Sequence, residues 1–197
     1  MFSKNLSHNK IKKIKPKIIF FIFWSKKINK KIYENYHCIQ FHSSDLPKFR
    51  GGSPIQNQIL SGIIKTKITA FRVNQKIVGG DICMKKKLNL NGDANKIYLD
   101  IEKKVIQMIL KITKLKKIKY VKQKNNGTYF KRRMPKDSNL SIISHKNIGT
   151  IYNFIRMLDS NDYPRAFFLL GNKKIIFKNA KLKKDILTGN FELKIFR

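Results

Sequence analysis

Phe41-His42-Ser43-Ser44-Asp45-Leu46-Pro47-Lys48-Phe49-Arg50-Gly51-Gly52-Ser53-Pro54 is the stretch whose reading decides the fold. An apolar strand stops at its start and a helix begins at its end. Upstream, Cys38 to Phe41 reads as the close of a strand, and a period of two puts Cys38, Gln40 and His42 on one face. Downstream, Ser53 stands at the N-cap position, Pro54 at the first helical position and Gln56 three residues after the cap, the spacing of a capping box. Between them lies a turn with a histidine, a carboxylate, an arginine and two glycines. Ligands of α/β proteins sit beyond the carboxyl ends of strands, so a site is expected here. An ordinary strand-to-helix loop with a solvated histidine fits the same residues.

The flanks extend this reading in both directions. Residues 1 to 15 are basic and unpatterned, and are expected to be a disordered lead-in. Ile18 to Trp24 is a continuous apolar run, the signature of a strand buried on both faces of a helix-covered parallel sheet. A short helix or turn over Asn29 to Tyr36 leads into the strand ending at His42. After the signature turn, Ile55, Ile59, Leu60 and Ile63 share a helical face, with Gly62 near its end. Thr66 to Val73 and Ile82 to Leu88 read as strands joined by the loop Asn74 to Gly80. Asn91 or Asp93 caps a long helix with apolar positions at Ile97, Ile101, Val105, Ile109 and Ile112. Lys116 to Asn126 turns polar and basic, as a linker does. Ile151, Phe154, Ile155 and Leu158 form a short helix. Strands are expected at Ala166 to Leu170, Lys174 to Asn179 and Phe191 to Phe196, with Gly171-Asn172 as a tight turn. The fold class is therefore α/β, a mostly parallel sheet with helices on both faces, plus a small β-rich carboxyl-terminal element. The domains run over 1–15, 16–126 and 127–197.

Composition bounds the function. The 197 residues suffice for one core. Lys+Arg number 44 against 11 Asp+Glu, a formal charge of +33, and salt-sensitive binding to polyanions follows from it. Only 7 of the 44 are arginine, and the lysines are scattered with isoleucine and asparagine as AT-biased coding produces, unlike a dedicated phosphate surface. Cys38 and Cys83 lack metal-ligand spacing and suit a reduced, cytoplasmic protein without disulfides. The Lys-rich start followed by Ile18 to Trp24 mimics a secretory signal, but the apolar run is short and no cleavage pattern follows it closely. No stretch approaches a membrane span, so no membrane is expected among the partners.

Three groups of residues together resemble the formyltransferase family: His42 to Pro47, then Arg50-Gly51-Gly52-Ser53-Pro54-Ile55-Gln56, then Thr66-Lys67-Ile68-Thr69. The family pattern is an Asn-x-His strand end, a Ser-Leu-Leu-Pro turn, an Arg-Gly-x-x-Pro-Ile helix start and a Thr-Gly-Val-Thr strand. Gly127 to Ser138 is similar to the segment after the catalytic domain in amino-sugar enzymes of the family. Phe154-Ile155-Arg156 with Tyr163-Pro164-Arg165-Ala166-Phe167 is similar to the start of its small carboxyl-terminal domain. The resemblance implies formyl transfer from 10-formyltetrahydrofolate to an amine. A nucleotide-linked amino sugar is the expected acceptor, and methionyl-tRNA or a catalytically impaired relic is the alternative. That chemistry needs a proton shuttle, a carboxylate and an oxyanion donor.

Carried over residue by residue, His42 matches the family's histidine, and Gln40 stands where the family has asparagine. The position of the family's aspartate holds Val78, so Asp81 is the expected carboxylate, with Asp45 of the turn as a second candidate. The resemblance places the folate against Leu46, Pro47, Arg50, Gly51 and Gly52. Arg132 and Arg133 are expected to fork onto the acceptor's diphosphate, or equally to be a solvated pair. In the family a longer nucleotide-binding-like half precedes the strand matching Ile18 to Trp24. Truncated sheets expose edges, which implies a marginal, homodimeric or relic protein.

Overall fold

The computed structural model describes residues 6–124, 127–143, 145–161 and 163–195. In chain order the elements are α1 (His8–Ile14), β1 (Ile19–Phe21), α2 (Lys30–Asn35), β2 (Cys38–His42), β3 (Arg50–Gly51), α3 (Pro54–Leu60), β4 (Lys65–Arg72), β5 (Ile82–Asn89), α4 (Ala94–Thr113), β6 (Tyr129–Phe130), α5 (Ile148–Arg156), β7 (Phe167–Leu170), β8 (Lys173–Lys183) and β9 (Ile186–Ile195). Short 3-10 turns occupy Pro135–Ser138 and Leu140–Ile143.

The main sheet has the order β1-β2-β4-β5. The α/β class holds, but the pairing is mixed: β1 and β2 run parallel, whereas β2–β4 and β4–β5 are antiparallel. The reason lies in loop length. Residues 73–81 are too few for the crossover that a parallel neighbour needs, so β4 and β5 close as a hairpin.

Alternation along β2 sorts the core. Ile39 and Phe41 face a large cluster with Ile55 and Ile59 of α3, five α4 residues and Phe154 and Ile155 of α5. Cys38 faces the other way, into a smaller cluster with Ile11, Phe21, Ile28, Ile32 and Val73. Helices thus cover both faces, and β2 lies between them. The lead-in expected to be disordered is in part α1, whose Ile11 is 5% exposed; residues 1–5 lie outside the described residues. Burial of that one isoleucine under the sheet gives the basic helix its anchor.

Asp93 caps α4, its carboxylate accepting from the Lys96 amide at 2.9 Å. The buried stripe is Ile97, Ile101, Val105, Met108 and Ile112, with Ile109 only partly buried. A strict four-residue step drifts off the face of a 3.6-residue helix, and Met108 takes the place assigned to Ile109. Each such side chain adds roughly 1.5–3 kcal/mol of apolar transfer.

The carboxyl-terminal element is the antiparallel sheet β7-β8-β9. β8 and β9 are longer than alternation indicated, β7 begins one residue later than expected, and Phe196 lies outside the described residues. Gly171 takes φ 56 in the turn between β7 and β8. Phe177, Ala180 and Leu187 of this sheet pack against the large cluster. Among the described residues, no helix is long and apolar enough to cross a membrane.

Candidate active site

His42 is the last residue of β2, at the carboxyl end of the strand, and is 7% exposed. Its Nε2 lies 2.7 Å from the Phe49 carbonyl oxygen. A carbonyl oxygen only accepts, so Nε2 carries the hydrogen and Nδ1 keeps the lone pair. Burial pushes the imidazole pKa down to about 4, against the opposing pull of the Phe49 bond. The ring is therefore neutral at pH 7 and able to accept a proton. Two residues earlier on the same face, Gln40 donates from Nε2 to the Trp24 carbonyl at 3.1 Å, which leaves its second amide hydrogen for another acceptor.

The turn after β2 is fixed by side chains. Ser44 Oγ donates to the carbonyls of Lys48 (2.7 Å) and Phe49 (3.3 Å), and Thr69 Oγ1 donates to that of Ser44 at 2.7 Å. Leu46, fully buried, packs with Phe71 and Val78, and the Leu46–Pro47 peptide is cis. Asp45 bridges two lysines, Lys67 at 2.9 Å and Lys85. Burial raises the Asp45 pKa, but the Lys85 and Lys67 hydrogen bonds outweigh it and hold the carboxyl below its usual range. Asp45 thus clamps the turn to β4 and β5.

The capping box at α3 does not form. Ser53 sits at φ 48 with no side-chain cap; its Oγ pairs with the Tyr163 hydroxyl at 3.0 Å and accepts from the Arg133 amide at 3.1 Å. Gln56 is buried instead, donating to the Tyr98 hydroxyl at 3.0 Å. Tertiary partners take over both side chains, Tyr163 and Arg133 of the carboxyl-terminal third for Ser53 and Tyr98 of α4 for Gln56.

These elements surround a cavity of about 690 Å³, within the size range of small-molecule sites. Gln40, His42, Gly51, Gly52, Val78 and Arg132 all line it. Leu46, Pro47, Arg50, Asp81 and Arg133 do not. Asp81 is exposed, and its backbone carbonyl accepts from the Arg72 amide at 2.8 Å as β5 begins. Arg50 turns away to Gln123 and the Lys124 carbonyl. Arg132 and Arg133 diverge: Arg133 donates to the Asp137 carbonyl and lies over the Phe154 ring, 5.4 Å from its centroid, so the two form no fork. The glycines are close-approach positions, but the neighbour is protein. A Cβ at Gly51 would stand 2.2 Å from the Phe130 carbonyl oxygen, and one at Gly52 would stand 2.4 Å from Arg132 Cα.

Trp24, Tyr98 and Glu102 stand on the wall without belonging to any motif, and Tyr129 and Tyr163 join them from the two stretches of the carboxyl-terminal third that resemble the family. Glu102 is the carboxylate on the wall, one helical turn after Tyr98 on α4; that i, i+4 spacing is the one signal that would have paired them. Lys26, Lys27 and Lys76, with Arg132, add positive charge to the lining. Trp24 Nε1 is buried without a partner among the described residues, a donor that a ligand acceptor or an ordered water would satisfy. No group of three or more His, Cys, Asp or Glu side chains is arranged to hold a metal ion among the described residues.

A family model described as Formyl transferase matches residues 3–110, more than half of the chain. The chain belongs to the formyl transferase family. A second model, Methionyl-tRNA formyltransferase, C-terminal domain, matches residues 135–194 of this family member. The methionyl-tRNA formyltransferase of Rickettsia prowazekii is 31% identical over 181 residues, 88% of this chain and 58% of that protein. The solved methionyl-tRNA formyltransferase from Clostridium thermocellum superposes with a TM-score of 0.93 at 38% identity, covering 100% of this chain and 86% of that one. The formyltransferase PseJ from Anoxybacillus kamchatkensis, solved with UDP-4,6-dideoxy-4-formamido-L-AltNAc and tetrahydrofolate, shares the fold at 19% identity and TM-score 0.56, covering 66% and 72%. The chain spans about half the length of the curated relatives it matches.

Proposed function

We propose that this formyl transferase family member moves a formyl group from 10-formyltetrahydrofolate to a primary amine, with methionyl-tRNA as the acceptor. The observation that carries the reading is the placement of neutral His42 and Gln40 on one face of β2, in the wall of a cavity of ligand size. The wall suits such a donor: Phe23, Trp24 and Tyr33 offer aromatic surface to a flat heterocycle, and Lys26, Lys27 and Lys76 offer charge to its carboxylates. The donor, a co-substrate, supplies the activated formyl carbon. As the amine nitrogen bonds to that carbon, His42 Nδ1 accepts the nitrogen's proton and passes it on to the departing folate nitrogen, so that acid and base are one group. Gln40 donates its free amide hydrogen to the oxygen on which negative charge develops.

The 38% identity to the Clostridium thermocellum enzyme and the match to the methionyl-tRNA formyltransferase C-terminal model support tRNA as acceptor. The resemblance of Gly127 to Ser138 to amino-sugar enzymes, with Arg132, Lys26 and Lys27 in the lining of one cavity, favours the expected nucleotide-linked amino sugar as a second reading, but the diverging Arg133 leaves no two-arginine fork for its diphosphate. Saturable binding of 5-formyltetrahydrofolate in the presence of excess polyanion is the expected result for the purified protein. Formyl transfer to methionyl initiator tRNA in preference to elongator tRNA and to a panel of nucleotide amino sugars is expected next. A folded sample that binds no folate would remove the reading, and transfer to a sugar alone would reassign the acceptor.

A further inference from the structure

Gln123 lies between α4 and β6, in the segment whose composition reads as a linker, yet it is 7% exposed. Its Oε1 accepts from Arg50 Nε at 3.1 Å and Arg50 Nη2 at 2.8 Å. Its Nε2 donates to the Val78 carbonyl at 3.1 Å and the Gly80 carbonyl at 2.7 Å. A carboxamide has two donor hydrogens and one oxygen with two lone pairs, so these four bonds saturate it. Two of them go to Arg50, the residue before the wall glycines Gly51 and Gly52, and two to the carbonyls of the 78–80 loop, whose Val78 is also on the wall. The backbone of the same segment runs alongside: Val121 and Ile82 exchange backbone hydrogen bonds of 2.8 and 2.9 Å, and the Arg50 and Gly52 amides donate to the Thr128 and Phe130 carbonyls at 2.8 Å. The loop being held is a strained one. Val78 sits at φ 53, a region that β-branched residues rarely adopt.

We propose that Gln123 is a positioning residue for the donor site, a clasp that sets the separation between the Val78 wall and the Gly51–Gly52 wall. Arg50 then acts on the site through Gln123 and not through the ligand. This deepens the folate reading above and rests on it. The clasp has two arms that substitution can open separately. Gln123→Glu keeps the acceptor for Arg50 but turns carboxylate lone pairs toward two carbonyl oxygens, which repel them. Arg50→Lys removes the fork and leaves the two donor bonds in place.

The test is 5-formyltetrahydrofolate affinity, thermal stability and amide hydrogen exchange without ligand, for the wild type, both variants and Arg156→Lys. Arg156 is a control of similar burial outside the cavity, donating to the Leu90 and Gly92 carbonyls. Gln123→Glu is expected to weaken folate binding by about tenfold to a hundredfold, as a displacement of site walls on the ångström scale does. Faster exchange should be confined to residues 74–81 and the loop around Arg50. Arg50→Lys should move both readouts in the same direction, and it decides the matter if the glutamate variant does not fold. Arg156→Lys should lower the melting temperature and leave the affinity unchanged. Wild-type affinity in Gln123→Glu or Arg50→Lys overturns the clasp. If the wild type binds no folate, the functional reading falls by itself, and unchanged exchange at 74–81 in the variants overturns the clasp independently.

Discussion

His42→Gln is expected to lower formyl transfer by about 10²- to 10⁴-fold, the usual contribution of a positioned proton-transfer group, and also to flatten the acid side of the stability profile. The second effect follows from burial. With a folded pKa near 4 against 6.5 for the free side chain, the unfolded chain binds this proton first as pH falls. Between those values the unfolded state holds more protons, so stability rises with pH. The stability associated with neutral His42 is fully present above pH 6.5 and is lost progressively below it, the loss reaching on the order of 3 kcal/mol by pH 4. His37, lowered by burial and by Arg72, acts in the same direction and stays in the variant. Urea unfolding of both proteins at about pH 7, 5.5 and 4.5, which spans the range in which a histidine titrates, should show the wild type losing stability faster. Parallel profiles would mean that His42 is not buried in neutral form.

Val78→Asp is expected to raise the transfer rate by about 10²- to 10⁴-fold, because it places a carboxylate on the wall that His42 shares. The backbone at residue 78 already has φ 53, which aspartate tolerates better than valine. The new charge should also move the His42 pKa upward, so the rising limb of the kcat/KM profile should shift to higher pH. Against this, the small cluster of Leu46, Phe71 and Val78 loses a branched side chain, at a cost of about 1–3 kcal/mol. A folded variant that binds folate without faster transfer would show that a missing carboxylate at this position does not limit the rate.

The strand-turn-helix around His42 was legible because each part has a local cause: alternation in β2, proline at the start of α3, and Gly62 at φ 73 just beyond its end. The direction of pairing was misread: the long apolar run at Ile18 suggested parallel neighbours throughout, whereas β2–β4 and β4–β5 are antiparallel, the latter for the short loop before β5. What could not be read is whatever two distant segments decide together. Ser53 looks like a cap from its own neighbours and becomes a partner of Tyr163, 110 residues away. Gln123 looks like linker and is saturated by Arg50, Val78 and Gly80. Asp81 looked usable by sequence distance alone, while the cavity's carboxylate, Glu102, comes from a helix that no motif marks.

Phe154, Ile155, Met157, Leu158 and Ala166 share one apolar cluster with Ile39 and Phe41 of β2 and the buried stripe of α4. The main core is therefore shared between the two family segments, 3–110 and 135–194, and the second has no buried cluster apart from it among the described residues. Heat or urea should melt them together, in one cooperative transition, with neither half surviving as a folded intermediate.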